Sequence, residues 1–330
     1  METRLLGQIG AVSSLTLGGG GLGQLWGATT RGEAVATVSD AVAAGITLFD
    51  VAPMYGEGEA ETVIGEAFGG RLPEGVRVTT KCLLGSPPGA EVYPRLRASL
   101  EASLGRMGLA KVDVFILHGM LDDDDTEGAT RRTGLALFFD AVVPAYERLK
   151  DEGLIGAWGI SGVMMPGAII KVLESPTPPQ VVQCIANLLD SPGSMRRRNE
   201  EARPREIIAA AKRAGAGVMG IRAVQAGALT SGLDRELPPD HPEMVDYHRA
   251  EPFRRLAAKA GVSPAYLAHR YALSMTGVDT VVLGVKNRVE LSECVAAAEA
   301  GPLDEAMVRS IDAAVMGEGE QRGTAASERS

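Results

Sequence analysis

Histidine and cysteine are scarce in this chain, with four and three copies among 330 residues. No two of the cysteines (Cys82, Cys184, Cys294) are close in sequence, so the ligand spacing of a zinc site is missing. Their odd number, with Cys82 and Cys184 in or beside apolar runs, reads as buried reduced thiols rather than a disulfide framework. Aromatic residues are also few, at 4% with two tryptophans. That weakly favours a small or polar substrate over a steroid or polycyclic one. No apolar run reaches the roughly 18 residues of a membrane span, and the opening METRLLGQIG lacks a signal-peptide core. A cytoplasmic protein is the expectation. Basic surplus is missing too: a net charge of −9 argues against nucleic acid and anionic membranes as partners. The one basic run, at 196–198, lies among Pro, Ser and Glu and reads as a solvated face.

What is present is a regular alternation. Short β-branched or apolar runs at 15–19, 46–51, 76–81, 112–118, 156–161, 181–186, 217–222 and 278–284 read as strands. Helical patterns lie between them. Thr30 and Glu33 form a capping box ahead of Val35, Val38 and Val42 on one face. Ser263 and Pro264 supply an N-cap and a first helical position. Strands alternating with helices predict a parallel sheet, and eight units match a closed (β/α)8 barrel, usually of about 250 residues. The surplus fits an N-terminal cap or hairpin over 1–14, loops at 119–134 and 232–252, and a polar tail. One domain is expected over 1–316, with a disordered tail over 317–330. Gly18, Gly20 and Gly23 satisfy G-x-G-x-x-G, but a four-glycine run does so almost by default. The following helical pattern waits until about Thr30, which argues against a Rossmann sheet.

Charged and polar residues collect at the strand ends. The second strand carries Asp50, with Tyr55 on the loop beyond it; the third ends in Lys81 and the fourth in His118. In a barrel these ends share one mouth. Hydride addition to a carbonyl leaves an alkoxide that needs a proton. A phenol can supply it, and a nearby ammonium is expected to lower its pKa from about 10 toward operating pH. Asp50 would hold Lys81 charged, and His118 would donate to the substrate oxygen. An Asp50–Lys81 pair alone is equally well a structural ion pair. A lysine at a barrel strand end is also how a Schiff-base lyase presents its nucleophile.

On these residues the chain resembles the aldo-keto reductases over roughly 4–300. The matching segments are GITLFDVAPMYGEGEAETVIGEAF, VRVTTK, VDVFILH, GAWGIS and VVLGVKNRVELSECVAA. The resemblance implies a (β/α)8 barrel with Asp50, Tyr55, Lys81 and His118 as catalytic tetrad. It also implies NADP(H) or NAD(H) bound across the mouth. By position, Ser161 and Gln183 would hold the nicotinamide carboxamide. Ile221 and Arg222 stand at the end of the seventh strand, where an aromatic that stacks on nicotinamide is common, as in branches that use an arginine near the cofactor. The loop with Gly227 and Leu229, and the segment Gly284, Val285, Lys286 and Asn287, would meet the phosphates. Glu290 and Glu293 fall at the adenosine end. The chain departs from the family pattern at Gly162, where Asn is usual, and at Cys294, where Asn often touches adenine. Glu290 would repel a 2′-phosphate and favour NAD, whereas Lys286 and Arg288 could reverse that. GLGQLWG and IRAVQAGAL are similar to the branch of NAD(P)-dependent sugar dehydrogenases.

A small-molecule carbonyl or sugar is the expected substrate. Trp26 and Met120 are candidate pocket walls, although Trp26 reads equally as a packing residue. The acidic run at 122–125 reads as a solvated loop tip that would disfavour anionic substrates. The alternatives left open are a non-catalytic cofactor-binding subunit that senses redox state, and a lyase using Lys81.

Overall fold

The structure, a computed structural model, describes residues 1–124, 126–196 and 201–324. The chain opens on a hairpin, β1 (Thr3–Leu5) and β2 (Ala11–Ser13). Four parallel strands follow: β3 (Leu15–Gly18), β4 (Leu48–Asp50), β5 (Arg77–Cys82) and β6 (Val112–Leu117). A two-stranded pair, β7 (Met120–Asp122) and β8 (Arg132–Gly134), interrupts them. The remaining strands are β9 (Ile155–Gly162), β10 (Val181–Ile185), β11 (Gly217–Ile221) and β12 (Thr280–Leu283). The eight parallel strands close into a barrel, with β12 pairing to β3 through Val281–Leu15 and Leu283–Leu17. The alternation of strand and helix thus folds as the sequence predicts.

Strand periodicity separates two cores, because alternate side chains face opposite ways. Phe49, Val78, Cys82, Phe115, Leu117, Trp158 and Val182 point outward into the layer beneath the helices. Leu48, Val114, Ile116, Ala157, Val181 and Met219 point inward and pack with Leu6 and Val12 of the opening hairpin. A Cβ on Gly217 would lie within 2.8 Å of Leu6 atoms. The hairpin therefore seals the N-terminal end of the barrel, and a ligand must enter at the other end.

Local chemistry sets the helix boundaries. The Thr30 side chain accepts from the Glu33 amide at the start of helix Arg31–Ala43. Ser263 caps helix Pro264–Ser274, and Asn287 caps helix Arg288–Glu299. Left-handed Gly69 and Gly108 end helices Glu59–Phe68 and Gly89–Met107.

Four stretches differ from expectation, and the first is the loop expected over 119–134, which contains β7 and β8. The glycine run contains a short helix, Gly19–Leu22. The stretch expected as loop over 232–252 contains helix Pro242–Arg249 and the start of Glu251–Lys259. The last helix, Glu305–Thr324, enters the stretch read as polar tail, and 325–330 lie outside the described residues. So do Asp125 of the acidic run and Arg197 and Arg198 of the basic run. No described helix is long and apolar enough to cross a membrane.

Candidate active site

The same period-two alternation builds the site. Asp50 stands two residues beyond inward Leu48, His118 two beyond inward Ile116, and Gln183 two beyond inward Val181. Lys81 lies two beyond Thr79, whose hydroxyl reaches Asp50 inside the barrel. All therefore rise on the inner face at the C-terminal mouth. Tyr55 comes from the loop after β4, which turns through three successive positive-φ residues, Gly56, Glu57 and Gly58.

Lys81 is fully buried and spends all three ammonium protons inside the site. It donates to Asp50 Oδ2 at 2.9 Å, to the Val51 carbonyl at 2.9 Å and to Tyr55 Oη at 3.1 Å. Asp50, 2% exposed, also accepts from Thr79 Oγ1 and from Gln183 Nε2 at 2.8 Å. Burial pushes the Lys81 pKa down, but Asp50 and Tyr55 outweigh it, so the group is raised and stays an ammonium. Because Tyr55 Oη accepts from Lys81, the phenol's own proton is left for another acceptor.

The Tyr55 pKa departs from the sequence expectation. Burial raises it, Asp50 adds to the rise, and the opposing pull of Lys81 does not cancel them. Tyr55 is therefore a protonated phenol at neutral pH, held as an acid rather than as a phenolate. His118 meets Tyr55 edge to face, with ring centroids 5.9 Å apart. Burial first, then the charges of Lys81 and Arg131, bring the imidazole pKa down to about 3. It is neutral and donates from one nitrogen only, while its buried Nδ1 has no hydrogen-bond partner.

The remaining candidates divide by what they touch. Ser161 lies directly opposite Gln183 in the β9–β10 register, so a hydroxyl and an amide stand together beside Asp50. Gln183 nevertheless spends its Nε2 on that carboxylate. A Cβ on Gly162 would lie 2.5 Å from Val182 Cγ2, which explains why the family's Asn is missing there. Leu229 is fully buried, so it offers a ligand only backbone, and Gly227 sits in a left-handed turn at φ +93°. Arg222, expected near the cofactor, is half-buried and donates to Glu243 at 2.8 Å and Gln225 at 2.7 Å. Cys294 is 3% exposed and packs against His269.

At the far end, Lys286 pairs with Glu290 at 3.0 Å and Asp234 at 3.3 Å, and Arg288 pairs with Glu33 at 3.1 Å. The Asn287 side chain is used as a helix cap, and Glu293 accepts from Ser263 Oγ. Gly284 is exposed, whereas Val285 is buried behind it. Trp26 stands at the rim: a Cβ on Gly284 would lie 3.4 Å from its Nε1, and one on Gly20 2.6 Å. Met120, on β7, is half-buried above His118 in the chain. Thr29 Oγ1, on the loop that brings Gly27 against Lys286, is buried without a partner. A polar orphan at each end, with the Ser161–Gln183 pair between, fits an elongated polar ligand such as a dinucleotide.

Among the described residues of the acidic run, two are paired and Asp124 is exposed. Asp122 is paired with Arg132 at 2.8 Å and Asp123 with Lys171 at 2.7 Å. Sequence reasoning also missed Thr79, although its place two residues before Lys81 puts it on the same strand face.

Comparison with known proteins agrees with this geometry. The chain is 28% identical over 312 residues to L-galactose dehydrogenase of Arabidopsis thaliana, covering 90% of this chain and 88% of that one. It is 28% identical over 188 residues to D-threo-aldose 1-dehydrogenase of a Pseudomonas species, covering 50% and 54%. Its fold superimposes on an aldo-keto reductase of Bacillus halodurans in its holo form, with TM-score 0.73, 23% identity and 96% of each chain covered. An aldo-keto reductase of Klebsiella pneumoniae in complex with NADPH gives TM-score 0.69 at 22% identity over 94% of each chain. The family model described as "Aldo/keto reductase family" matches residues 14–316, nearly the whole barrel and its helices, so the chain belongs to the aldo/keto reductase family and is an NAD(P)-dependent oxidoreductase.

Proposed function

We propose that the protein interconverts an aldehyde or ketone with the corresponding alcohol, or an aldose lactol with its lactone, with Tyr55 as general acid and base. The observation that carries this reading is the Lys81–Tyr55 hydrogen bond at 3.1 Å, made by an ammonium whose other two protons are already committed. Tyr55 then has its own proton to give to another acceptor. In reduction it protonates the nascent alkoxide; Lys81 stabilises the phenolate left behind, and Asp50 keeps Lys81 in place. Neutral His118 donates to the same oxygen as negative charge develops there. In the oxidative direction the phenolate takes the proton back.

The coenzyme, when bound, supplies or accepts the hydride. Ser161 and Gln183 are the groups for its carboxamide, and the backbone from Gly227 to Leu229 and from Gly284 to Asn287 for its phosphates. Lys286 and Arg288 already face Glu290, Asp234 and Glu33, so neither of these two cations is spare for a 2′-phosphate. That balance favours NAD(H) over NADP(H). Full burial and three committed protons count against Lys81 as a Schiff-base nucleophile. The dehydrogenases of L-galactose and D-threo-aldoses among the relatives make an aldose the first substrate to try.

The test follows reduced-nicotinamide absorbance with a panel of aldoses, aldehydes and ketones under each coenzyme. Turnover is expected, faster with NAD(H). Coenzyme binding without turnover of any member of the panel would contradict the reading.

A further inference from the structure

The loop between β6 and β9 returns to the mouth through the β7–β8 pair, and this brings Arg131 beside His118. The Arg131 carbonyl accepts the Met120 amide at 3.1 Å and lies 3.2 Å from where a Gly119 Cβ would stand. Arg131 thus faces the two residues that directly follow His118 in the chain. Its charge is also close enough to bear on the imidazole.

Three other cations around the mouth are paired. Lys81 has Asp50 at 2.9 Å, Arg222 has Glu243 at 2.8 Å and Lys286 has Glu290 at 3.0 Å. On the same loop Arg132 has Asp122, and Asp123 has Lys171 of helix Pro166–Leu173. Arg131 is exposed, and among the described residues its side chain makes no hydrogen bond or ion pair. A guanidinium with no counter-charge at the edge of a concave site raises the local concentration of anions. Its planar fork matches carboxylate or phosphate oxygens in pairs.

We propose that Arg131 is a specificity-determining residue that receives an anionic group on the substrate, so that the preferred carbonyl compound carries a carboxylate or phosphate some bonds away from the reacting carbon. This rests on the mouth being the carbonyl site argued above. It runs against the sequence expectation that the acidic loop disfavours anions; of that loop, Asp122 and Asp123 are paired with Arg132 and Lys171.

The experiment compares nearly isosteric aldehydes, 3-carboxybenzaldehyde and 3-carbamoylbenzaldehyde, on the coenzyme-loaded protein and on its Arg131→Gln and Arg131→Lys variants. The parent protein should favour the carboxylate tenfold or more in kcat/KM, mainly through KM. Arg131→Gln should bring that ratio close to one, and Arg131→Lys should keep part of it. Glyceraldehyde 3-phosphate against glyceraldehyde then tells phosphate from carboxylate. Equal kcat/KM for the charged and neutral aldehydes in the parent, or a preference that survives Arg131→Gln, overturns the proposal. If neither aldehyde turns over, the carbonyl-site reading itself has failed. Calorimetric binding of benzoate against benzamide, lost selectively in Arg131→Gln, still decides the role of Arg131.

Discussion

An ammonium has three protons, and Lys81 gives one each to Asp50, the Val51 carbonyl and Tyr55. Burying such a charge is costly unless it is paired and fully hydrogen-bonded, and breaking a buried pair typically costs about 3–5 kcal/mol. The arrangement therefore fixes protonation states as well as positions. Tyr55 is raised above the ordinary phenol value by burial and Asp50, and His118 is held at about 3 by burial and the charges of Lys81 and Arg131. The sign for activity follows from these directions. Carbonyl reduction needs the protonated phenol, which is present at neutral pH and is lost only as pH rises through the raised Tyr55 value. His118 is already neutral across that range. The reduction rate should stay flat from about pH 5 to about pH 9 in a pH–rate profile, whereas an inflection near about 6.5 would assign the proton to a histidine.

At the scale of elements, the glycine run serves close packing. A Cβ on Gly18 would lie 2.2 Å from the Leu283 carbonyl, and one on Gly23 2.5 Å from the Tyr55 carbonyl carbon and oxygen. The G-x-G-x-x-G match is thus a seam where the β3 exit meets the β12 exit and the Tyr55 loop. Gly23→Ala should push that loop away from Lys81 and lower kcat on the order of tenfold to a hundredfold, since small misplacements of a catalytic group cost about that much. Gly32→Ala is the control, because a Cβ there meets nothing within 4 Å. Steady-state kinetics of the two variants checks this, and equal kcat would remove the packing account of the motif.

The element scale also marks where sequence reasoning stopped. Asp50, Lys81 and His118 were legible because each ends a short apolar run, and period-two alternation turns all three inward. Gln183 was legible as a site residue, but its bond to Asp50 was not, since that contact crosses the barrel. The Arg222–Glu243 pair was not legible, because Glu243 lies on helix Pro242–Arg249, a stretch whose composition reads as loop. The β7–β8 pair, which places Arg131, has only three residues per strand. So short a pairing leaves no periodic signal.

On the scale of the whole molecule, closure of the barrel and its plug explain why chemistry has one address. Leu6 and Val12 fill the N-terminal end with the inward residues of five strands, so the polar inner layer of Asp50, Thr79, Lys81 and Gln183 faces one opening. The number of β–α units already implied a closed barrel. The seal at the other end was not legible, because residues 1–14 carry a mixed pattern that suits a hairpin equally well anywhere on the surface. The proposed function makes the Tyr55 hydroxyl the acid at that opening. The most direct test is Tyr55→Phe on the coenzyme-loaded protein, comparing kcat for an aldehyde or aldose with coenzyme affinity measured by tryptophan fluorescence. The account predicts a fall in kcat of about 10²- to 10⁴-fold with coenzyme affinity retained; turnover within a few-fold of the parent would contradict it.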